Sequence, residues 1–123
     1  MSNDRASRRY DHLRLGAHGE DLAERWYLER GYVLLDRNWR CPSGEVDLVL
    51  RSVDEDVIVF CEVKTRSTGR FGTPFEAVGW DKQRRIRRIA VQWLTTHDVR
   101  SRRLRFDVAG VSGGRLEVIE DAF

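Results

Sequence analysis

Between residues 44 and 64 the chain reads GEVDLVLRSVDEDVIVFCEVK, two apolar runs joined by the acidic turn VDED. Runs rich in Val, Ile and Leu on either side of a polar turn form the strands of a hairpin. A turn centred between Asp54 and Glu55 sets Leu50 opposite Val59, Leu48 opposite Cys61 and Val46 opposite Val63 on one face. The other face then carries Val49 against Phe60, Asp47 against Glu62 and Glu45 against Lys64. Both faces are apolar near the turn, so the hairpin needs cover on both sides, as in the interior of a helix-flanked sheet. At its far end the same pattern becomes charged. Opposed residues hold their Cβ atoms roughly 5 Å apart. Two carboxylates that close in a partly dry site repel, and one keeps its proton unless a cation intervenes.

The remaining sequence supplies the covering layers. Residues 1–12 are polar, basic and without periodicity, which predicts a flexible basic tail ahead of a single domain over 13–123. From Leu15 to Arg30 the residues Leu15, Gly19, Leu22, Ala23 and Trp26 share one helical face, and Gly31 is a stop. Glu20 lies at the edge of that stripe, on the flank shared with Tyr27. YVLLDRNWR predicts the first strand, TRSTGRFGTP a loop, and a second helix starts between Pro74 and Asp81 and runs to about Thr96. LRFDVAGV and RLEVIE predict the fourth and fifth strands. The second helix has the length of a right-handed crossover, which makes strands three and four parallel. The expected fold is α/β: a mixed five-stranded sheet flanked by helices, in the order α-βββ-α-ββ.

Charge narrows the function. The 123 residues carry a net charge of only +2, yet the basic residues cluster at RASRR, KQRRIRR and RSRRLR. A cationic face on a nearly neutral chain fits an anionic partner, nucleic acid first. The two cysteines, Cys41 and Cys61, lack metal-finger spacing. With no apolar stretch of signal-peptide or membrane-spanning length, a cytoplasmic protein without a membrane partner is expected.

The charged end of the hairpin has its own chemistry. Oxygen ligands without His or Cys suit Mg²⁺ or Mn²⁺. Lys64 follows Glu62 by two residues on the same face. In the second helix Lys82, Ile86, Ile89 and Trp93 form one row, so Lys82 occupies the first turn of the buried stripe. It is there either to snorkel or to meet a negative group. Each feature alone has a plainer reading. Glu-x-Lys on a strand is usually a surface ion pair, acids such as Glu20 are favoured early in a helix by its dipole, and an arginine run is usually a solvated helix face. Asp47 opposite Glu62 in an otherwise apolar hairpin is what those readings leave unexplained. His12, His18 and His97 have no ligand spacing. Trp26, Trp39 and Trp93 read as packing residues, and Trp80 is the one candidate for stacking on a base. Gly69 and Gly72 around Phe71 are too few for a phosphate cradle, and Asp107 falls on the polar parity of its strand with its role open.

An acid on the first helix, an Asp on the second strand and Glu-x-Lys on the third resemble the PD-(D/E)XK nuclease superfamily, whose αβββαβ core has the same order. More closely, GAHGEDLAERWYLERGYVLLDRNWR, GEVDLVL, VFCEVKTRSTGRFGTPFEAV, the Lys82 helix and RFDV resemble the YraN-like family of small bacterial proteins, over roughly residues 15 to 111. That family is similar in turn to archaeal Holliday junction resolvases. One departure stands out: Val46 precedes Asp47 where the superfamily signature has a proline. The resemblance implies a restriction-endonuclease-like three-layer fold and a catalytic set of Asp47, Glu62 and Lys64. Glu20 would be an accessory metal-binding or water-orienting acid, and Lys82 a second cation near the scissile phosphate. Asp47, Glu62 and the Val63 carbonyl would hold Mg²⁺ or Mn²⁺, and Lys64 would orient or deprotonate the attacking water. Arg66, Arg70, Arg84, Arg85 and Arg88 would contact neighbouring phosphates. The implied function is metal-dependent hydrolysis of DNA, branched DNA included, where a homodimer would bring two sites to one junction. A nucleic-acid-binding module that keeps the fold without turnover is the alternative. A glycosidase carboxylate pair fits less well with Lys64 and the cationic surface.

Overall fold

The computed structural model describes residues 17–66 and 79–123. Helix α1 covers residues 17–28 and is followed by β1 (Tyr32–Cys41), β2 (Gly44–Ser52), β3 (Val57–Arg66), α2 (Trp80–His97), β4 (Arg103–Ser112) and β5 (Arg115–Ile119). The strands form one sheet in chain order, β1-β2-β3-β4-β5. Pairing is antiparallel except between β3 and β4, which run parallel across the α2 crossover, from Val57↔Arg103 to Arg66↔Ser112. The α/β architecture and the mixed sheet are those expected from the sequence. Two expected loop residues, Thr65 and Arg66, instead extend β3. The expected tail, Leu15 and the loop with Gly69, Arg70, Phe71 and Gly72 lie outside the described residues.

Hydrophobic burial fixes the layers. On one face α2 lays Ile86, Ile89, Ala90 and Trp93 against Val46, Val49, Ile58, Phe60, Phe106 and Val108. On the other, Ala23 and Tyr27 of α1 pack against Leu48, Leu50, Val57, Val59, Cys61 and Ala109. The buried row of α1 is thus Gly19, Ala23 and Tyr27, spaced by one helical turn, with Tyr27 at its centre and not on its flank. Gly19 permits this approach, because a Cβ there would collide with Thr65 Oγ1 of β3. Among the described residues, no helix is long and apolar enough to cross a membrane.

The hairpin register is as expected from Leu48↔Cys61 to Ser52↔Val57, and then the ladder stops. The pairings expected beyond it, Val46 with Val63, Asp47 with Glu62 and Glu45 with Lys64, are not made. The cause is a reversal of the pleat. Leu48 faces α1 while Val46 faces α2, although simple alternation would put them together. On β1, Arg37 pairs with Leu48 and Trp39 with Val46, and the intervening Asn38 has φ 54. That left-handed backbone is one that asparagine tolerates better than most residues. It lets both strands reverse parity at the same level of the sheet. A bulge between Leu34 and Asp36 has already shifted β1 once.

A buried polar network pins α1 to the sheet. Asp107, whose role the sequence left open, is fully buried. It accepts hydrogen bonds from Tyr27 Oη at 2.6 Å, Arg105 Nε and Nη2 at 2.9 Å each, and the Asp121 backbone N–H at 3.0 Å. Arg105 in turn donates to Tyr32 Oη at 2.9 Å. Burial and the neighbouring charges of Cys61 and Asp107 push the Tyr27 phenol well above its usual range, so it stays a donor. Two variants should therefore differ in kind. Tyr27→Phe removes one donor of several and should cost about 1–3 kcal/mol in urea unfolding. Asp107→Ala strands the buried Arg105 charge and should cost roughly 3–5 kcal/mol.

Candidate active site at the open end of the central hairpin

Where β2 and β3 part, a side chain takes over from the ladder. Asp47 Oδ2 accepts the Val63 backbone N–H at 2.7 Å. An extended residue projects its N–H and C=O from the same strand edge, so the Val63 carbonyl also points towards this gap. Glu62 projects from the α2 face and is only 7% exposed. Its Oε1 accepts Lys82 Nζ at 2.8 Å and Lys64 Nζ at 3.2 Å. Asp47, Glu62, Val63, Lys64 and Lys82 are therefore brought together, two acids and two ammoniums at one strand end. Lys82 reaches the cluster from the first turn of α2, whose buried residues Ile86, Ile89 and Trp93 fix that row against the sheet.

The electrostatics follow from burial and crowding. Desolvation, and then the Glu62 charge, push the Asp47 carboxyl up to about 7 against the opposing Val63 hydrogen bond. The Lys64 amine is lowered by burial and by the neighbouring Lys82. Burial works against the Lys82 ammonium too, but its hydrogen bonds to Glu62 and Lys64 and the charges of Glu62 and Asp47 together outweigh this and raise it. The two amines are thus shifted in opposite directions, Lys64 towards easier deprotonation and Lys82 towards holding its charge.

Glu20 is engaged by residues of β1. Its charge reaches Asp47, but its Oε1 accepts Asn38 Nδ2 at 2.9 Å and Arg37 Nε at 3.3 Å. Arg37 also pairs with Asp21 at 2.7 Å and Glu24 at 3.1 Å. The first helix's acids are thus gathered by a β1 guanidinium. Sequence reasoning missed Arg37 and Asn38, because the shifted parity of β1 hides which face each residue takes. Arg66 ends β3 and Arg70 lies outside the described residues. Arg84, Arg85 and Arg88 are exposed on α2, and Arg87 lies over the Phe106 and Phe123 rings at 4.9 and 5.7 Å. Trp80 is 70% exposed, and Trp93 is buried.

Among the described residues, no group of three or more His, Cys, Asp and Glu side chains is arranged to hold a metal. The donor set is two carboxylates and a carbonyl. That set fits a hard cation which keeps part of its water shell, and a divalent charge would relieve the repulsion that raises Asp47.

The raised Asp47 carboxyl has a measurable consequence without metal. The unfolded carboxyl titrates near 3.9, so between that value and about 7 the native state holds a proton that the unfolded chain has released. Stability is unaffected by this group below the window and falls as pH rises through it. Asp47→Asn, which carries no proton to lose, should gain stability over wild type across the window in EDTA. The gain should reach up to about 4 kcal/mol and level off above pH 7, as read by urea denaturation at each pH.

Comparison with known sequences places this arrangement. The profile of the uncharacterised protein family UPF0102 matches residues 19–111, a span that runs from α1 into β4 and contains all five clustered residues. A "UPF0102 protein" of a Nocardioides species is 55% identical over 97 residues, covering 79% of this chain and 77% of its own. Another, from Rhodococcus opacus, is 49% identical over 116 residues, covering 90% and 97%. A third, from Frankia casuarinae, is 49% identical over 114 residues, covering 89% and 95%. The chain belongs to the uncharacterised protein family UPF0102.

Proposed function

We propose that this protein is a metal-dependent endonuclease that hydrolyses phosphodiester bonds in DNA, branched DNA included, as a member of the PD-(D/E)XK superfamily. The observation that carries the reading is the convergence of Asp47, Glu62, Val63, Lys64 and Lys82 at one strand end. Mg²⁺ or Mn²⁺, when bound by Asp47, Glu62 and the Val63 carbonyl, would polarise the phosphoryl oxygen and acidify a bound water. The chain's own groups supply the rest. Lys64, whose amine is the more easily deprotonated of the two lysines, acts in its neutral form: having lost its own proton to solvent, it accepts the proton of the attacking water as its oxygen bonds to phosphorus. The bond from phosphorus to the leaving oxygen then breaks, and that oxygen takes a proton from solvent. Lys82, held charged, stabilises the negative charge that builds on the phosphoryl oxygens. Arg84, Arg85 and Arg88 extend a cationic surface from the site along α2 for flanking phosphates, with Arg66 and Arg70 as further candidates. A homodimer would present two such sites to a junction.

One observation favours binding without turnover. Both lysines bond Glu62, and Arg37 holds Glu20, so these two acids already have cationic partners within the chain. Incubating linear, flap and four-way-junction DNAs with Mn²⁺ separates the two readings. Wild type should cleave at least one substrate and Glu62→Ala none. If every substrate stays intact with wild type while salt-dependent binding persists, the protein is a binding module. In either case, replacing Arg84, Arg85 and Arg88 together by alanine should flatten the salt dependence of duplex binding, by about 0.9 in log–log slope for each phosphate no longer neutralised.

A further inference from the structure

Glu62 Oε1 is an unusual acceptor because two ammoniums from different layers end on it. Lys64 comes from the same strand, two residues away, and could not avoid the neighbourhood. Lys82 comes from α2, across the interlayer gap, and makes the shorter contact, 2.8 Å against 3.2 Å. Its side chain is mostly covered, at 25% exposure, and the hydrophobic row behind it fixes the helix. A long aliphatic stem that only snorkelled would carry its charge out to water. This one carries its charge inward to a nearly buried carboxylate. Nearby, Asp47 presents a second carboxylate, held by the Val63 N–H.

A pair of close acids is better tolerated beside a cation, and of the two acids the lysines supply that charge by direct contact to Glu62 alone. We propose that Lys82 is a resident counter-ion: it occupies Glu62 while the site is without metal, is displaced when a divalent cation binds Asp47 and Glu62, and then turns to a phosphate of the bound nucleic acid. This rests on the metal-dependent reading above and adds an order of events to it. Metal entry and substrate capture become linked, because the ammonium released by the first is the ligand for the second. Lys64 cannot play the same part, since its short tether along β3 keeps it beside Glu62 whatever the occupancy.

Competition of this kind has a signature that a fixed, merely structural lysine lacks. Removing Lys82 strengthens metal binding, and it weakens phosphate binding only when metal is present. The test uses the full chain, wild type and Lys82→Met, with Mn²⁺ titrated by calorimetry at one pH and ionic strength. The salt dependence of binding to a nuclease-resistant phosphorothioate duplex is then measured with EDTA and with saturating Mn²⁺. The expected result is Mn²⁺ affinity about tenfold tighter in Lys82→Met. Its log–log salt slope should be shallower than wild type by about 0.9 in Mn²⁺ and equal to wild type in EDTA. Unchanged or weaker Mn²⁺ binding in the variant overturns the proposal and leaves the metal site standing, as does a slope difference already present in EDTA or absent in Mn²⁺. If neither protein binds Mn²⁺, both this inference and the metal-dependent reading fall. Should Lys82→Met not fold, Lys82→Gln carries the same comparison, because it also removes the charge while keeping a polar end.

Discussion

The arrangement depends on one substitution of a side chain for a backbone partner. β2 and β3 pair as far as Leu48 and Cys61, and there the Asp47 carboxylate takes the Val63 N–H that the ladder leaves. That single bond does three things. It holds the strand ends apart without leaving Val63 unsatisfied. It turns the Asp47 side chain into the sheet's own gap, off the solvent face. It also leaves the Val63 carbonyl aimed at the same opening. The apolar half of the hairpin, buried on both faces, is the rigid base on which this end is held.

Two aspartates, Asp107 fully buried and Asp47 half-buried, show how differently the fold treats charge. Asp107 receives donors from Tyr27, Arg105 and the Asp121 backbone, and among the described residues no buried side-chain polar atom lacks a partner. It is a compensated charge that ties α1 and the turn after β5 to the sheet, and it has nothing left to offer a ligand. Asp47 has one backbone donor, and burial, together with its acidic neighbours Glu62, Glu20 and Glu45, disfavours its ionised form. An under-compensated acid at a strand end, beside two lysines, is the electrostatic feature that supports the proposed cation site. Asp107 is a structural pin.

Most of the fold was legible because it follows from simple periods. The alternation in β2 and β3 gave their register from the turn as far as Leu48 and Cys61, and the spacing of Lys82, Ile86, Ile89 and Trp93 placed an amine on the buried row of α2 before any contact was known. The parity reversal was not legible. It needs Asn38 at positive φ, which asparagine allows but does not demand, and it moved Val46 to the α2 face. Glu20 lies on α1 close enough for its charge to reach Asp47. Its capture by Arg37 and Asn38 depends on the twice-shifted parity of β1, which composition does not reveal. Tyr27 was read as flank because a phenol scores as half polar. Its partner, Asp107, lies 80 residues away in sequence.

The central claim is that Asp47, Glu62 and the Val63 carbonyl form a seat for a hard divalent cation. A crystal of the wild-type protein soaked in Mn²⁺, with anomalous diffraction recorded at the manganese edge, tests it most directly. A single strong peak within coordination distance of those three groups, with Glu62 no longer bonded to Lys82, is the result expected. A map without a peak there at saturating Mn²⁺, and both ammoniums still on Glu62 Oε1, would contradict the account.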